Sequence, residues 1–283
     1  MPYFFWPACL SLLLCQAFAI PLDTNIALAL AAGLMLAGGL PHGAFDIALA
    51  SRALRLNRAS AFGLFGAYIL VAAIMLLLWA TAPIVALSLF LGLAALHFGE
   101  DWRMLDAGLL RAMAGASIIC IPAFAHPQAV TALFLAMAGE HAEWVCRVAM
   151  AFTPVAVLVT AVGMGQAARS GNASWALAQG ASLACLAIFP PQIGFLLYFV
   201  FLHSPLHMRG LSQMLPGWSI PTLWSYGTLI CFACIAAAAL FAPGLFSGRS
   251  LAMSADAFRL LSVVAAPHLL LTLFVENQTA GRR

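Results

Sequence analysis

The sequence predicts an all-α protein, a polytopic transmembrane helical bundle with about ten spanning helices. Of its 283 residues, 64% are apolar and only 7% are charged. A soluble domain is about half apolar and about a quarter charged. So few charges cannot solvate the surface of a soluble protein of this size, and the apolar content excludes a disordered chain. We therefore expect a single integral membrane domain over residues 1–283.

Runs of apolar residues give the individual spans, since a helix needs about 20 such residues to cross a bilayer. The predicted spans are 3–20, 24–50, 61–81, 84–99, 108–125, 145–165, 174–189, 192–208, 221–245 and 257–275. A further run at 128–139 is too short to span and is predicted to be re-entrant or interfacial. Residues 1–20 are an extra N-terminal helix or a possible signal peptide; we favour an uncleaved helix, because no positive charge precedes the apolar run.

Arginine placement predicts the orientation of the bundle. All twelve basic residues are arginines, and most of them follow even-numbered spans. This side should be cytoplasmic by the positive-inside rule, with the chain in the inner (plasma) membrane. Because the arginines are scattered, no nucleic-acid partner is expected. The arginines on the predicted cytoplasmic side are Arg52, Arg55, Arg58, Arg103, Arg111, Arg169, Arg209, Arg282 and Arg283; Arg249 falls opposite, with Arg147 and Arg259 near it.

Histidines at membrane depth are the candidate functional residues, since polar groups there are costly and usually mark function. Five of them lie in or at the end of apolar spans, all in the predicted cytoplasmic half: His42, His97, His203, His207 and His268. His203 and His207 are four residues apart and therefore share one helix face. His126 and His141 fall in loops on the opposite side and are interpreted as solvated.

Two aspartates share the same spacing with two of these histidines. Asp46 follows His42 by four residues, and Asp101 follows His97 by four. A carboxylate one helical turn away can accept a hydrogen bond from the second ring nitrogen of that histidine or of a neighbouring one. Such a bond fixes the tautomer and strengthens a metal ligand.

Prolines stand next to three of the histidines, at positions 41, 205 and 267. Each removes a backbone hydrogen bond and bends its helix, which is tolerated at membrane depth where protein or a cavity covers the freed carbonyls. Gly38, Gly39 and Gly43 either permit close helix approach or mark a break. Tyr198 is interpreted as a packing or membrane-interface residue.

A shared metal site explains the whole histidine set better than separate interhelical hydrogen bonds. Four or five imidazoles without a thiolate suit zinc, copper, nickel or iron, and spacing alone does not choose among them or between one metal and two. An open coordination position in an apolar chamber suits oxygen activation on a lipophilic substrate. The alternatives are a desaturase or hydroxylase with two irons, a proton-coupled transporter and a bis-histidine haem protein.

The motifs resemble one family of membrane enzymes. They are Pro-His-Gly-x-x-Asp at 41–46, His-Phe-Gly-x-Asp at 97–101, His-x-x-x-His at 203–207 and Pro-His at 267–268. In this order and at these separations the set is similar to the Brp/Blh family of membrane-bound β-carotene 15,15′-dioxygenases. The resemblance covers about residues 24–275, which would form the catalytic bundle.

The resemblance implies an activity and a ligand set. Family members cleave the central double bond of β-carotene with O2 to give two all-trans-retinal molecules at a histidine-ligated non-haem Fe(II). The expected iron ligands are His42, His97, His203 and His207, with His268 as a fifth ligand or a hydrogen-bonding neighbour of the iron. Asp46 and Asp101 are expected to orient the ligands. The expected partners are β-carotene or a related carotenoid from the bilayer, O2 and the lipid membrane itself.

Overall fold

The computed structural model describes residues 4–215, 217–241 and 250–280. Nearly all of these residues are helical, with short turns between the helices, and the described part contains no strand. The α-helices are α1 (Phe5–Ala17), α2 (Asn25–Leu34), α3 (Asp46–Ala53), α4 (Arg58–Thr81), α5 (Pro83–Gly99), α6 (Gly108–Ala125), α7 (Pro127–Ala138), α8 (Glu143–Ala167), α9 (Ala173–Ile188), α10 (Pro191–Tyr198), α11 (Ser204–Met214), α12 (Ile220–Phe241) and α13 (Ser250–Ala280).

Short irregular helices join several of these elements. The π-helical segments are Met35–Gly39, Ala168–Asn172 and Phe199–His203, and the 3-10 segments are Leu40–Phe45, Glu100–Trp102 and Glu140–Ala142. The segment at Ala168–Asn172 contains a true break, because Gly171 has φ 87° there. This break separates α8 from α9, which pack against each other.

The predicted polytopic helical bundle is confirmed, whereas the predicted count of ten spans is not. Among the described residues, seven segments are long and apolar enough to cross a membrane. They are Asn25–Ala53, Arg58–Thr81, Pro83–Trp102, Gly108–Ala125, Glu140–Ile188, Ile220–Ala237 and Ser254–Phe274. Two predicted spans, 145–165 and 174–189, fall within the single segment Glu140–Ile188.

The remaining predicted spans differ for physical reasons. At 13 residues, α1 rises only about 20 Å, which is short of the hydrocarbon thickness. The predicted span 192–208 is not among the seven segments; it is divided into α10, a π segment and α11. Helix α7 has 12 residues, as expected of a run too short to span. Residues 3 and 242–245 of the predicted spans lie outside the described residues, as do Arg249, Arg282 and Arg283.

Close packing of α5 against α6 fixes the end of α5 that carries His97. A Cβ on Gly115 would lie 1.9 Å from the carbonyl oxygen of Ala95, and a Cβ on Gly99 would lie 2.6 Å from that of Arg111. Only glycine permits this approach of the two backbones. Helix α13 packs against α2, α4, α5 and α7, so His268 is brought to the middle of the bundle.

Candidate metal centre

The five intramembrane histidines come together in the folded chain. They lie on five segments: His42 in Leu40–Phe45, His97 in α5, His203 in Phe199–His203, His207 in α11 and His268 in α13. Neighbouring ring centroids are between 4.4 Å and 6.2 Å apart. All the rings are buried except that of His207, whose side chain is 15% exposed. The prediction placed these residues at a common depth, and the structure unites them in one cluster.

Irregular backbone presents two of these histidines. Met35–Gly39 is π-helical and is followed by the 3-10 turn that holds Pro41 and His42. His203 ends another π segment, and Pro205 lies in the first turn of α11 directly after it. Single π turns inside helices are frequent at functional sites, because they rotate the following side chains away from the regular helical register.

Asp46 joins His268 to Tyr68 in a chain of hydrogen bonds. The Nδ1–H of His268 donates to the carboxylate of Asp46, whose oxygens lie 2.9 Å and 2.8 Å away. The hydroxyl of Tyr68 donates to the same carboxylate at 2.9 Å. We name Tyr68, Asp46 and His268 the cavity-side triad, since all three line the cavity described below.

Asp101 forms an equivalent chain on the other side of the cluster. The Nδ1–H of His203 lies 3.1 Å from both carboxylate oxygens, and the hydroxyl of Tyr198 donates to Oδ2 at 2.7 Å. The Nε2 of His207 lies 3.2 Å from Oδ1. We name Tyr198, Asp101 and His203 the sealed triad, because all three are buried and none of them lines the cavity.

The other two histidines are also held through Nδ1. The His42 ring donates to the carbonyl of Gly39 and lies 3.2 Å from the hydroxyl of Ser204. On His97, Nδ1 lies 3.3 Å from the hydroxyl of Thr272 and 3.4 Å from a carboxylate oxygen of Glu100. These contacts settle the orientation of both rings and leave Nε2 as the nitrogen with a free lone pair.

The inward-facing nitrogens fit a bound cation. The Nε2 atoms of His97 and His268 are only 3.3 Å apart, and the Nε2 of His203 is buried without a hydrogen-bond partner. Unpartnered buried nitrogens are costly unless something binds them. Two sets of ligand atoms lie within 4.8 Å of one another: His42, His97 and His268, and also His97, His203 and His207. The cluster could therefore hold a metal ion.

An apolar cavity of about 340 Å³ runs along one side of the cluster. His42, His97 and His268 form part of its wall, whereas His203 and His207 do not. Most of the remaining wall is aliphatic or aromatic, with side chains from α4, α5, α6, α7, α12 and α13. A volume above 300 Å³ is typical of a small-molecule pocket. The cluster thus has a ligand side and a packed side.

Of the two partners that the sequence left open for Asp46 and Asp101, the structure shows histidines from other helices. It corrects two other interpretations made from the sequence. Tyr198, interpreted as a packing or interface residue, donates to Asp101 inside the cluster. The ring of His126, interpreted as solvated, has a buried Nε2.

Three residues of the site carried no sequence signal that singled them out. Tyr68 and Thr272 are single polar residues in apolar helices, and Ser204 adjoins a histidine. For Tyr68 alone, a general rule predicts a hydrogen bond but not its partner, since a tyrosine at membrane depth needs a partner for its hydroxyl. Glu100 stands beside Asp101, and its carboxylate is buried between His97 and Arg103.

Fold and site together define a class, a helical integral membrane protein whose buried histidine cluster faces an apolar cavity. A family model described as beta-carotene 15,15′-dioxygenase matches residues 33–276, and the chain belongs to that family. The resemblance predicted from the motifs is therefore confirmed. Membership implies a carotenoid and O2 as substrates. No curated protein and no solved structure gives a significant match to the chain.

Proposed function

We propose that this protein cleaves the central 15,15′ double bond of β-carotene with O2 to give two all-trans-retinal molecules. The observation that carries the proposal is the histidine cluster on the wall of an apolar cavity, in a chain that belongs to the dioxygenase family. The reaction balances with one O2: the carbon–carbon double bond breaks, and each carbon takes one oxygen atom as an aldehyde. No external reductant is needed.

The proposed metal is Fe(II), which His42, His97, His203 and His207 would hold, with His268 on the cavity side as a fifth ligand or a hydrogen-bonding neighbour of the iron. An all-imidazole ligand set without thiolate is compatible with iron. When bound, ferrous iron would activate O2, which does not react readily with a closed-shell polyene by itself. The contacts of Asp46 and Asp101 support a role as orienting groups, since each accepts a hydrogen bond from a histidine Nδ1–H and so directs the Nε2 of that ring inward.

The cavity walls perform the remaining tasks of substrate binding. Phe90, Phe98 and Phe199 line the cavity and offer aromatic surface to a polyene. A polyene bound against the apolar wall would displace water from the cavity, and the contact between cavity and histidines would bring that chain next to the metal ligands. Reactants held in this arrangement need only a small further movement to react.

We further propose that this site lies in the cytoplasmic half of the inner (plasma) membrane, which the arginine distribution supports. A proton-coupled transporter and a two-iron desaturase share the buried carboxylates and histidines, but no observation on the fold favours either over the dioxygenase. A haem protein would show a visible haem spectrum, which we do not expect here.

Expression in a β-carotene-producing host tests this proposal directly. We expect the cells to bleach and to accumulate retinal, identified by chromatography, and the purified protein to contain iron. Unchanged carotenoid beside a folded, iron-loaded protein would rule out the substrate. An iron content near two per chain would favour the desaturase reading.

A further inference from the structure

The two ends of the cavity differ in exposure. Where α4 and α12 border it, the lining side chains face outward: Phe65 is 52% exposed, Ile69 54% and Ile230 41%. Cys234 is exposed at the same place. Residues that line a cavity and are also exposed mark its opening. We name this opening the mouth, and because α4 and α12 are predicted spans it faces the lipid.

The other end lies deep in the bundle, among α5, α6, α7 and the first half of α13. We name it the inner arm. None of the inner-arm side chains that the structure describes is exposed. Its principal wall residues are Leu87, Phe90, Val130, Leu133, Met137 and Leu261. All of these side chains are apolar, so the arm suits a hydrocarbon.

Helix α7 lines the inner arm away from the mouth and is fastened to α13 by Arg259. The guanidinium of Arg259 donates to the backbone carbonyls of Ala136 and Met137 at the end of α7. It is also paired with Asp256 at 3.1 Å, one turn earlier on α13. Helix α7 is thus tied to the same helix that carries His268.

The length of the inner arm can be read from two helices. Leu87 stands ten residues before His97 on α5, and Phe258 stands ten residues before His268 on α13. At about 1.5 Å per residue, both helices give about 15 Å between the histidines and the closed end. The agreement of two independent helices indicates a fixed depth.

We propose that the inner arm is a closed measuring pocket for one half of the carotenoid. The polyene enters end-on from the lipid through the mouth, passes the histidines and advances until its leading ring contacts α7. The depth of the arm then determines which double bond stops beside the metal ligands. This inference rests on the proposed function and adds the direction of entry and the element that selects the bond.

Two variants change the depth of the arm in opposite directions. Val130→Phe on α7 adds volume at the closed end and shortens the arm, whereas Leu133→Ala lengthens it. In each, a different double bond should lie beside the histidines, and cleavage there gives two aldehydes of unequal length. We expect the retinal share of the products to fall about tenfold, as about 1.4 kcal/mol of misfit would cause. The matched control, Ile69→Phe at the mouth, should slow turnover and leave retinal as the product.

The measurement is chromatography of the products from purified, iron-loaded variants given β-carotene. Unequal aldehydes from either depth variant, with retinal alone from Ile69→Phe, support the measuring pocket. Retinal as the sole product of both depth variants overturns it, as does a loss of cleavage in both while iron is retained. If the unaltered protein makes no retinal, the proposed function fails instead. Should Val130→Phe not fold, Leu133→Ala decides the question.

Discussion

The cavity-side triad and the sealed triad are the same hydrogen-bonded unit built twice. In each, a tyrosine hydroxyl and a histidine Nδ1–H donate to one aspartate. The triads differ in their surroundings, because Tyr68 is half-buried on the cavity wall while Tyr198 is fully buried. Asp101 also has His207 as a third contact. One unit therefore adjoins the substrate space, and the other anchors the cluster within packed protein.

This difference separates two demands on a metal centre. A ligand set must be held rigidly, and it must also leave room for substrate. The sealed triad meets the first demand, because the hydroxyl of Tyr198 and the Nδ1–H of His203 both donate to Asp101 inside packed protein. The cavity-side triad meets the second demand, because all three of its residues line the cavity. The predictions below follow from this division.

The largest effect is expected from His203→Ala, which removes the buried ring of the sealed triad. Its inward Nε2 has no partner in the chain, so we expect metal affinity to fall by more than about 100-fold and activity to be lost. Metal analysis of the purified variant measures this. His141→Ala, in the 3-10 segment Glu140–Ala142 where the side chain is exposed, serves as the control and should retain metal. Full metal content in His203→Ala would remove that residue from the ligand set.

Replacing the aspartates compares the triads directly. Asp101→Asn and Asp46→Asn should each weaken metal binding by about 10–100-fold. The amide keeps one acceptor oxygen but replaces the other with an NH2 group, which cannot accept a hydrogen bond from the histidine. Asp101→Asn should also lower the free energy of unfolding by about 1–3 kcal/mol more than Asp46→Asn, since its donors are sealed from water. Metal titration and thermal unfolding in detergent measure the two effects. A larger stability loss in Asp46→Asn would reverse the assignment of roles.

Removing the tyrosine hydroxyls should give a smaller difference of the same sign. Tyr198→Phe removes the shorter of the two hydrogen bonds to Oδ2 of Asp101, in a site sealed from water, and should cost about 1–3 kcal/mol. Tyr68→Phe should cost less, because water in the cavity can replace the hydroxyl, but it should alter KM for the carotenoid. Thermal unfolding and steady-state kinetics test the pair. Equal stability losses would show that the cavity does not hydrate Asp46.

The smallest effect is expected from Thr272→Val, which keeps the shape of the side chain. Its hydroxyl is 3.3 Å from Nδ1 of His97, and a carboxylate oxygen of Glu100 lies almost as close. We therefore expect metal affinity to fall by less than about tenfold. Thr81→Val, whose hydroxyl bonds only its own exposed helix, is the control in the same metal titration. A complete loss of metal would mean that Glu100 does not support His97.

The sequence predicted which histidines form the cluster better than it predicted the hydrogen bonds that join them to the aspartates. Five histidines at one depth were recognisable because so few polar residues occur in the spans. The hydrogen-bonded pairs were not recognisable, since Asp46 and His268 are 222 residues apart, and Asp101 and His203 are 102 apart. The four-residue spacing left open whether each aspartate contacts the histidine on its own helix or one on a neighbouring helix. The 3-10 and π segments at these sites break the regular register, and only the tertiary fold decides which ring each carboxylate meets.

The count of ten spans is not confirmed, for a related reason. The segment that carries His203 and His207 contains polar residues of the site, and it is not among the seven segments that are long and apolar enough to cross a membrane. The reversal at Gly171 is marked only by a short Ser-Gly-Asn stretch, yet it divides one long apolar segment into α8 and α9. Hydropathy reports lipid exposure, and a helix that builds a site in the bundle centre departs from it.

The ratio of retinal formed to β-carotene consumed is the most direct test of central cleavage at the histidine cluster. Purified, iron-loaded protein is given β-carotene and O2, and the products are separated by chromatography. We expect two molecules of all-trans-retinal for each β-carotene consumed, with no other aldehyde. Intact β-carotene at full iron content, or aldehydes of unequal length from the unaltered protein, would contradict central cleavage at this histidine cluster.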